Sequence, residues 1–484
     1  MIQMKLNVLA TIIVSTFVAL LGSSVFAGDR PDNPNIVVVL CDDLGYGDLE
    51  CYGHPHIKTP HLNRLAKEGI RFTNFYSAAP VCSPARVGLL TGRSPNRAGV
   101  YNFIPDGRNV YMRDSEVTIP QLLKKKGYAT CMSGKWHCNG KFNSKSQPQP
   151  GAAGFDHWFG TQNNASPSHE NPNNFVRNGE PVGKLEGFSC QLVVDEAVNW
   201  LKGQQKKDAT QPFFMYVAFH EPHEPIASPP DLVEEYSSVS KNENEAQYFA
   251  NVANVDKAVG RLMASLKELK VDSNTLVVFT SDNGPETLNR YRRAKNSFGR
   301  ATPLRGMKLW TTDAGFRVAG IMRWPDQIAA DQVVDHVVSS LDFLPTFCEL
   351  AGAETPTDLE LDGTSFLPAL ENKSPDRSKP LLWIFYNALN ERRVAMRDGD
   401  WKVLAKLSID RAKNVTVEND AAIKAATLSD FQMFKITEDL AENNDLSSSM
   451  PEKSAELKQR LEKQYQQLVA GSHVWPASQK KKKK

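Results

Sequence analysis

The sequence predicts an α/β fold: a large, mostly parallel central sheet flanked by helices, followed by a smaller C-terminal α+β unit with an antiparallel sheet. Three observations predict it. Residues 35–40 contain the unbroken apolar run Ile-Val-Val-Val-Leu, as expected of a strand buried on both faces. Runs of this kind then alternate with helical patterns as far as residue 280. Beyond residue 380 the runs shorten, and Asp398-Gly399 forms a hairpin signal between two of them.

The elements follow in order. A helical pattern at 62–67 comes after Thr59-Pro60, and another at 119–126 opens after Thr118 and closes at Gly127. Strands are predicted at 128–132, 213–219 and 275–280, and helices at 193–201 and 247–269. Between the first two helices stands Cys82-Ser83-Pro84-Ala85-Arg86. It reads as a helix start, with Ser83 as cap, Pro84 in the first helical position, Val87, Leu89 and Leu90 on the apolar face and Gly92 as the stop. Cys82 would then sit at the positive end of a helix dipole, with Arg86 one turn on and facing the same ligand. Composition shifts near Pro356 and again over 372–380. Short strands at 381–386, 393–396 and 401–404 and an amphipathic helix at 452–468 complete the chain. The stretches 147–168 and 286–302 are polar and irregular, as binding loops are. The expected division is a leader at 1–27, a catalytic domain at 28–370, an α+β subdomain at 371–470 and a basic tail at 471–484.

Composition narrows the function classes. The chain has 484 residues, of which 41% are hydrophobic and 23% charged, ordinary values for a globular protein with a sizeable core. The net charge of +2 hides an asymmetry, because Lys5 and Lys480 to Lys484 lie at the ends and the body between them is mildly acidic. That excludes nucleic acid as the expected partner. Lys5, the mostly apolar stretch 8–21 and Val25-Phe26-Ala27 read as an export signal cut after Ala27. The expected location is periplasmic or secreted, with no stable membrane span once the signal is cleaved; an uncleaved anchor is the alternative. Seven cysteines, an odd number, leave at least one unpaired or modified in an exported chain.

The chemistry gathers where strands end. Asp42 and Asp43 follow the first strand, Lys135 and His137 the strand at 128–132, His220 and His223 the strand at 213–219, and Asp282 and Asn283 the strand at 275–280. Open α/β sheets bind ligands beyond the carboxyl ends of their strands, so four strands deliver polar groups to one rim. Asp42, Asp43, Asp282 and Asn283 are hard oxygen donors suited to Ca²⁺, or to Mg²⁺. A zinc site would draw on His or Cys.

These motifs together resemble the type I, formylglycine-dependent sulfatases of the alkaline phosphatase superfamily, arylsulfatase and N-acetylgalactosamine-6-sulfatase among them. The resemblance rests on Cys82-x-Pro84-x-Arg86 with Thr91-Gly92-Arg93, on Cys41-Asp42-Asp43-Leu44-Gly45-Tyr46-Gly47-Asp48, and on Gly134-Lys135-Trp136-His137. It extends to His220-Glu221-Pro222-His223, Ser281-Asp282-Asn283-Gly284, Leu304-Arg305-Gly306-Met307-Lys308 and Asp398-Gly399-Asp400-Trp401-Lys402. It spans roughly residues 34–445 in order. Two departures stand out: Cys138-Asn139-Gly140 replaces the usual Leu-Gly after the histidine, and Leu309-Trp310-Thr311-Thr312 replaces a glycine-rich run after Lys308.

The resemblance implies an alkaline phosphatase-like fold and hydrolysis of sulfate monoesters, with release of inorganic sulfate. It implies conversion of Cys82 to 3-oxoalanine (Cα-formylglycine) by a separate maturase, and a metal held by Asp42, Asp43, Asp282, Asn283 and the modified Cys82. The hydrated aldehyde supplies the nucleophile, and its second hydroxyl lets sulfate be expelled afterwards. Arg86, Lys135 and Lys308 would balance sulfate charge, His223 with Lys308 would protonate the leaving alcohol, and His137 would take the proton that releases sulfate. Lys135, His223 and Lys308 would also bind the substrate, with His220 there or just behind. The expected substrate is a sulfated carbohydrate of galactose or N-acetylgalactosamine type, which Arg290, Arg292, Arg293 and Arg300 could also reach. The alternatives are a phosphomonoester or phosphonate hydrolase on the same scaffold, and a non-catalytic binder of sulfated glycans.

Overall fold

The computed structural model of the chain describes residues 33–287, 290 and 294–477. The leader at 1–27, Arg292, Arg293 and the lysine run lie outside the described residues. The strands are β1 (Asn35–Asp42), β2 (Ile70–Tyr76), β3 (Ala129–Lys135), β4 (His157–Thr161), β5 (Val176–Arg177), β6 (Glu180–Pro181), β7 (Phe213–Pro222), β8 (Thr275–Ser281), β9 (Arg317–Arg323), β10 (Gln332–Val334), β11 (Val338–Ser339), β12 (Leu381–Ile384), β13 (Arg392–Asp398), β14 (Trp401–Leu407) and β15 (Leu428–Lys435). One sheet runs in the order β10-β2-β9-β8-β1-β7-β3-β4-β5-β6, with β11 beside β2. Its centre, β8-β1-β7-β3-β4, is parallel throughout. Antiparallel pairing enters at β9 and at β5 and β6, so the sheet is mixed at its flanks and parallel where chemistry was expected.

The apolar runs explain the double-sided core. In β1, Val37, Val39 and Cys41 pack into one cluster, while Ile36, Val38 and Leu40 pack into another on the opposite face. β7 divides in the same way, with Met215, Val217 and Phe219 on one side and Phe214, Tyr216 and Ala218 on the other. Such strands need helices on both faces. Those helices are α1 (Pro60–Lys67), α2 (Cys82–Thr91), α3 (Ile119–Lys125), α4 (Ser189–Lys207), α5 (Glu243–Glu268) and α6 (Phe343–Leu350).

Three expectations shift. Ser83 does not cap α2: the helix already begins at Cys82, with Val81 as its extended N-cap. The hydroxyl of Ser83 instead accepts a hydrogen bond from the Ile104 N–H at 3.0 Å. The polar stretch 147–168 is not wholly irregular, because β4 pairs along β3 inside it. Strands β2 and β9 carry no unbroken apolar run, and their pairing with each other and with β8 extends the sheet beyond the sequence pattern.

The second sheet is antiparallel, β12-β13-β14-β15, and α7 (Pro451–Ala470) is buried with it. Asp398 pairs with Trp401 across the hairpin, and Gly399 takes φ 53°, a left-handed value suited to glycine. A buried ion cluster ties this sheet to the large one. Lys402 Nζ lies 2.7 Å from Asp313 Oδ1 and 2.9 Å from Glu442 Oε1, while Arg317 reaches Asp313 Oδ2 at 3.1 Å. The rings of Phe316 and Trp383 stack alongside at 3.9 Å. No helix among the described residues is long and apolar enough to cross a membrane. All seven cysteines are free thiols.

Removing one partner from such a buried cluster leaves an uncompensated charge. Lys402→Met is expected to cost about 3–5 kcal/mol, read as a lower urea midpoint and a lower melting temperature. Burial favours the neutral form of Asp313, but Lys402, Arg317 and Arg397 outweigh it and hold its pKa well below the usual aspartate range. A depressed folded value means that unfolding takes up a proton in acid. Stability from this group is complete above about pH 4 and is lost as the pH falls below that. Glu442 runs the other way: burial raises its pKa, so its contribution declines as the pH rises above about 4.3, in a separate window. Asp313→Asn should therefore flatten the acid limb of a urea-midpoint profile, and an unaltered limb would remove the ion cluster from this role.

Candidate active site

The four contiguous parallel strands β8, β1, β7 and β3 end on one rim, and each ends in chemistry. Asp42 closes β1, Lys135 closes β3, His220 lies in the last turn of β7 and Ser281 closes β8. Cys82 opens α2 beside them. The backbone turns sharply after the strands: Asp43 has φ 65° and His137 has φ 52°. Left-handed non-glycine residues of this kind are tolerated where surrounding structure over-determines them. Glycine is required at two nearby positions on the same rim. A Cβ on Gly134 would lie 1.8 Å from the Ala218 carbonyl oxygen, and one on Gly284 would lie 1.6 Å from that of Ala314.

The charges interlock. Lys135 Nζ donates to Asp42 Oδ2, and Lys308 Nζ donates to Asp43 Oδ2 at 2.6 Å. Arg86 holds Asp282 Oδ2 through Nε at 2.9 Å and Nη2 at 2.8 Å. Asn283 Nδ2 donates to Asp43 Oδ1 at 2.8 Å, and the Asp43 N–H donates to Asp282 Oδ1 at 3.2 Å. All of these side chains are buried. Burial works against the ionised form of Asp42, but Lys135, His223, Arg86 and Lys308 more than offset it and hold its pKa well below normal. Asp282 goes the other way: burial, and then the nearby charge of Asp42, push it up to about 7.

Two buried oxygens in this cluster, Asp42 Oδ1 and Asn283 Oδ1, accept no hydrogen bond. Unpaired buried acceptors are costly, and a cation relieves them. The oxygen donors of Asp42, Asp43 and Asn283 suit a hard divalent ion. Asp42, Asp43 and His223 bring candidate ligand atoms within 4.8 Å of one another. The oxygens of Asp282, the fourth expected ligand, are already engaged by Arg86 and the Asp43 N–H.

The histidines resolve by their partners. His137 Nε2 lies 3.0 Å from the Ile104 carbonyl, which only accepts, so that nitrogen carries the hydrogen. Burial, reinforced by Lys135 and Arg86, holds the pKa of His137 well below 6.5. The ring is therefore neutral at pH 7, and its buried Nδ1 is a lone pair without a hydrogen-bond partner. His223 Nδ1 donates to the Glu224 carbonyl at 2.6 Å, and its Nε2 stands 3.6 Å from Asp43 Oδ2. Burial and then Lys308 lower its pKa to about 4. His220 is set back: it bonds Thr161 Oγ1 at 2.8 Å through Nε2. Cys82 is buried, and burial pushes its thiol up to about 11 although Lys135 and Lys308 pull the other way.

Several supporting residues escaped the sequence reading. Ser77 Oγ donates to the Asp282 carbonyl. Glu221 takes the Ser189 hydroxyl, the Cys190 N–H at 2.9 Å and the His220 N–H at 3.1 Å, and so ties β7 to the start of α4. Asp48 accepts from Gly45 N and Tyr248 Oη, each at 2.6 Å, and from Arg300 N at 2.7 Å, which fixes the loop after β1. Glu221 and Asp48 both lie inside quoted motifs, so position was their signal; Ser77 and Thr161 had none. Of the arginines expected to reach substrate, Arg290 pairs with the buried Glu286. The departure after Lys308 is well anchored. Lys308 N donates to the Pro285 carbonyl at 2.9 Å, and Leu309 N to that of Pro80 at 2.8 Å.

A buried cluster of three carboxyls and three cations, with unsatisfied hard oxygens and a neutral histidine, suits chemistry on an oxyanion ester. The comparisons agree. The family model described as "Sulfatase" matches residues 34–353, and that described as "N-sulphoglucosamine sulphohydrolase, C-terminal" matches residues 307–469. N-acetylgalactosamine-6-sulfatase of Canis lupus familiaris is 37% identical over 368 residues, covering 71% of this chain and 67% of its own. Arylsulfatase A of Homo sapiens is 33% identical over 470 residues, covering 90% of this chain and 88% of its own. The crystal structure of Ps i-CgsB superposes with a TM-score of 0.76 at 29% identity, covering 92% of this chain and 95% of that one, and it is also known in complex with k-i-k-neocarrahexaose. The chain belongs to the sulfatase family and is a sulfuric ester hydrolase.

Arg86→Met would strand Asp282 and Asp42 in the core, at an expected cost of about 3–5 kcal/mol in chemical denaturation. Adding Asp282→Asn should recover part of that loss. A cost below about 1 kcal/mol would mean that these carboxyls are already neutral in the folded protein.

Proposed function

We propose that the chain removes sulfate from a sulfated carbohydrate, using a Cys82 converted to Cα-formylglycine and a Ca²⁺ ion held by Asp42, Asp43, Asp282 and Asn283. The observation that carries this reading is the state of Cys82. A thiol pushed up to about 11 is almost wholly protonated at neutral pH, so the unmodified side chain is a poor nucleophile. When present, the aldehyde hydrate would supply the attacking oxygen and the ion would acidify and orient it.

The chain's own residues then have distinct tasks. Arg86, Lys135 and Lys308 form the cationic wall that receives the sulfate group. Lys308 hands a proton to the leaving oxygen. His223, neutral at rest, assists once an anion beside it favours its charged form. His137 accepts a proton on its unpaired Nδ1, which the Ile104 carbonyl keeps free by holding the hydrogen on Nε2. Residues 28–370 carry this chemistry, and 371–470 form a supporting α+β subdomain. The N-terminal segment directs export, where a separate maturase acts on Cys82. The names of the relatives favour a galactose or N-acetylgalactosamine sulfate.

Mass spectrometry of the peptide containing Cys82, from protein made in a host with a maturase, should find the aldehyde in place of the thiol. Cys82→Ala should abolish sulfate release without lowering the melting temperature, and His137→Ala should reduce kcat by about 10²–10⁴. Exhaustive chelation should silence the enzyme and Ca²⁺ should restore it. An active Cys82→Ala protein, or faster release of phosphate than of sulfate from matched esters, would overturn the proposal.

A further inference from the structure

Phe103 is 43% exposed, and it is the one aromatic side chain among the large hydrophobics that the described residues leave exposed. Its neighbours are the opposite: Asn102 is 4% exposed and Ile104 is 1% exposed. The backbone is fixed while the ring faces water. The anchors come from the active site. Ile104 N donates to Ser83 Oγ at 3.0 Å, one residue after Cys82. The Ile104 carbonyl accepts from His137 Nε2 and from Gln162 Nε2, each at 3.0 Å. Phe103 is therefore one residue from the group that sets the tautomer of His137, on a loop anchored beside Cys82.

The far side of this loop rests on the departure that follows His137. Gly107 N donates to the Gly140 carbonyl at 2.6 Å, and Met112 N to that of Cys138 at 2.7 Å. A Cβ on Gly140 would meet the Arg108 carbonyl oxygen at 2.2 Å, so only glycine admits the loop this close. Gln147 Nε2 closes the seat by donating to the same Arg108 carbonyl at 2.9 Å. The Cys138-Asn139-Gly140 substitution thus has a use: it seats the loop that carries Phe103.

We propose that Phe103 is a stacking platform for a sugar ring of the substrate, a specificity-determining residue for a galacto-configured sulfated saccharide. The inference rests on the sulfated-carbohydrate reading above and deepens it. A galacto-configured pyranose has its axial hydroxyl on one face and a patch of C–H groups on the other. That patch matches a phenyl ring, which offers apolar area and no hydrogen bond. The cationic wall takes the sulfate, and the ring takes the sugar, so a saccharide sulfate is distinguished from free sulfate.

The probe is a short oligosaccharide carrying galactose 6-sulfate, compared with inorganic sulfate as a product inhibitor. Phe103→Ala should raise KM for the oligosaccharide about tenfold, 1.4 kcal/mol, while Phe103→Trp holds it within about twofold of the parent. The inhibition constant of inorganic sulfate should stay the same in all three proteins. A KM that does not move, or one that rises in step with the sulfate constant, overturns the platform. Saturation-transfer NMR of the same oligosaccharide on Cys82→Ala protein needs no turnover. It should label the C–H face of the sugar and lose that label in Cys82→Ala/Phe103→Ala; equal labelling in the two also overturns it. Failure of the sulfatase reading shows separately, as parent enzyme that releases no sulfate from any ester.

Discussion

The structure depends on burying six charges at the ends of parallel strands. Asp42, Asp43 and Asp282 meet Arg86, Lys135 and Lys308 where little or no water reaches. An isolated ion of this kind would cost several kcal/mol to bury, so each carboxylate is given its own cation. Geometry enforces the pairing. The strands that deliver Asp42, Lys135 and Asp282 are neighbours in one parallel block. Arg86 arrives on a helix whose first residue is Cys82. Cys82 and the arginine that balances Asp282 are therefore two ends of one helical turn.

The second sheet supports this arrangement from behind. Lys402 holds Asp313 at the start of the short helix Asp313–Phe316. The carbonyl of Gly315 in that helix accepts the Gly284 N–H at 3.0 Å, directly after Asn283. On the other side Tyr76 bonds Asp313 at 3.0 Å, and the next residue, Ser77, holds the Asp282 carbonyl. The ion cluster thus grips the Asp282-Asn283 turn through two short paths, each closed by a hydrogen bond. The Asp398-Gly399 hairpin that places Lys402 lies outside the buried charge cluster, yet it acts on the corner at Asp282 and Asn283.

Much of this was legible in the sequence, and the pattern of what was not is physical. The β1, β7 and β8 strands announced themselves because burial on both faces demands unbroken apolar runs. The rim chemistry followed, since residues just past such strands have one place to go. β2 and β9 were silent: Arg71, Thr73 and Asn74 interrupt the one, and Gly320 and two arginines the other, so neither shows a clean period. Ser83 was read as a cap because serine before proline has that local preference. A tertiary demand, the Ile104 N–H, claimed its hydroxyl instead. The tautomer of His137 was beyond any sequence reading, because it is fixed by the Ile104 carbonyl, a partner distant in the chain.

The charge count explains why the site suits a sulfate ester. Three carboxyls, with Asp282 pushed up to about 7, face three cations, and the buried histidines are neutral at rest. The protein alone therefore offers little net attraction to an anion. A divalent ion on Asp42 Oδ1 and Asn283 Oδ1 would leave the pocket with two positive charges. A sulfate monoester brings one negative charge, and bond cleavage moves that charge onto the leaving oxygen. A cation facing the leaving oxygen gains as that charge gathers there, which is the differential that accelerates a reaction.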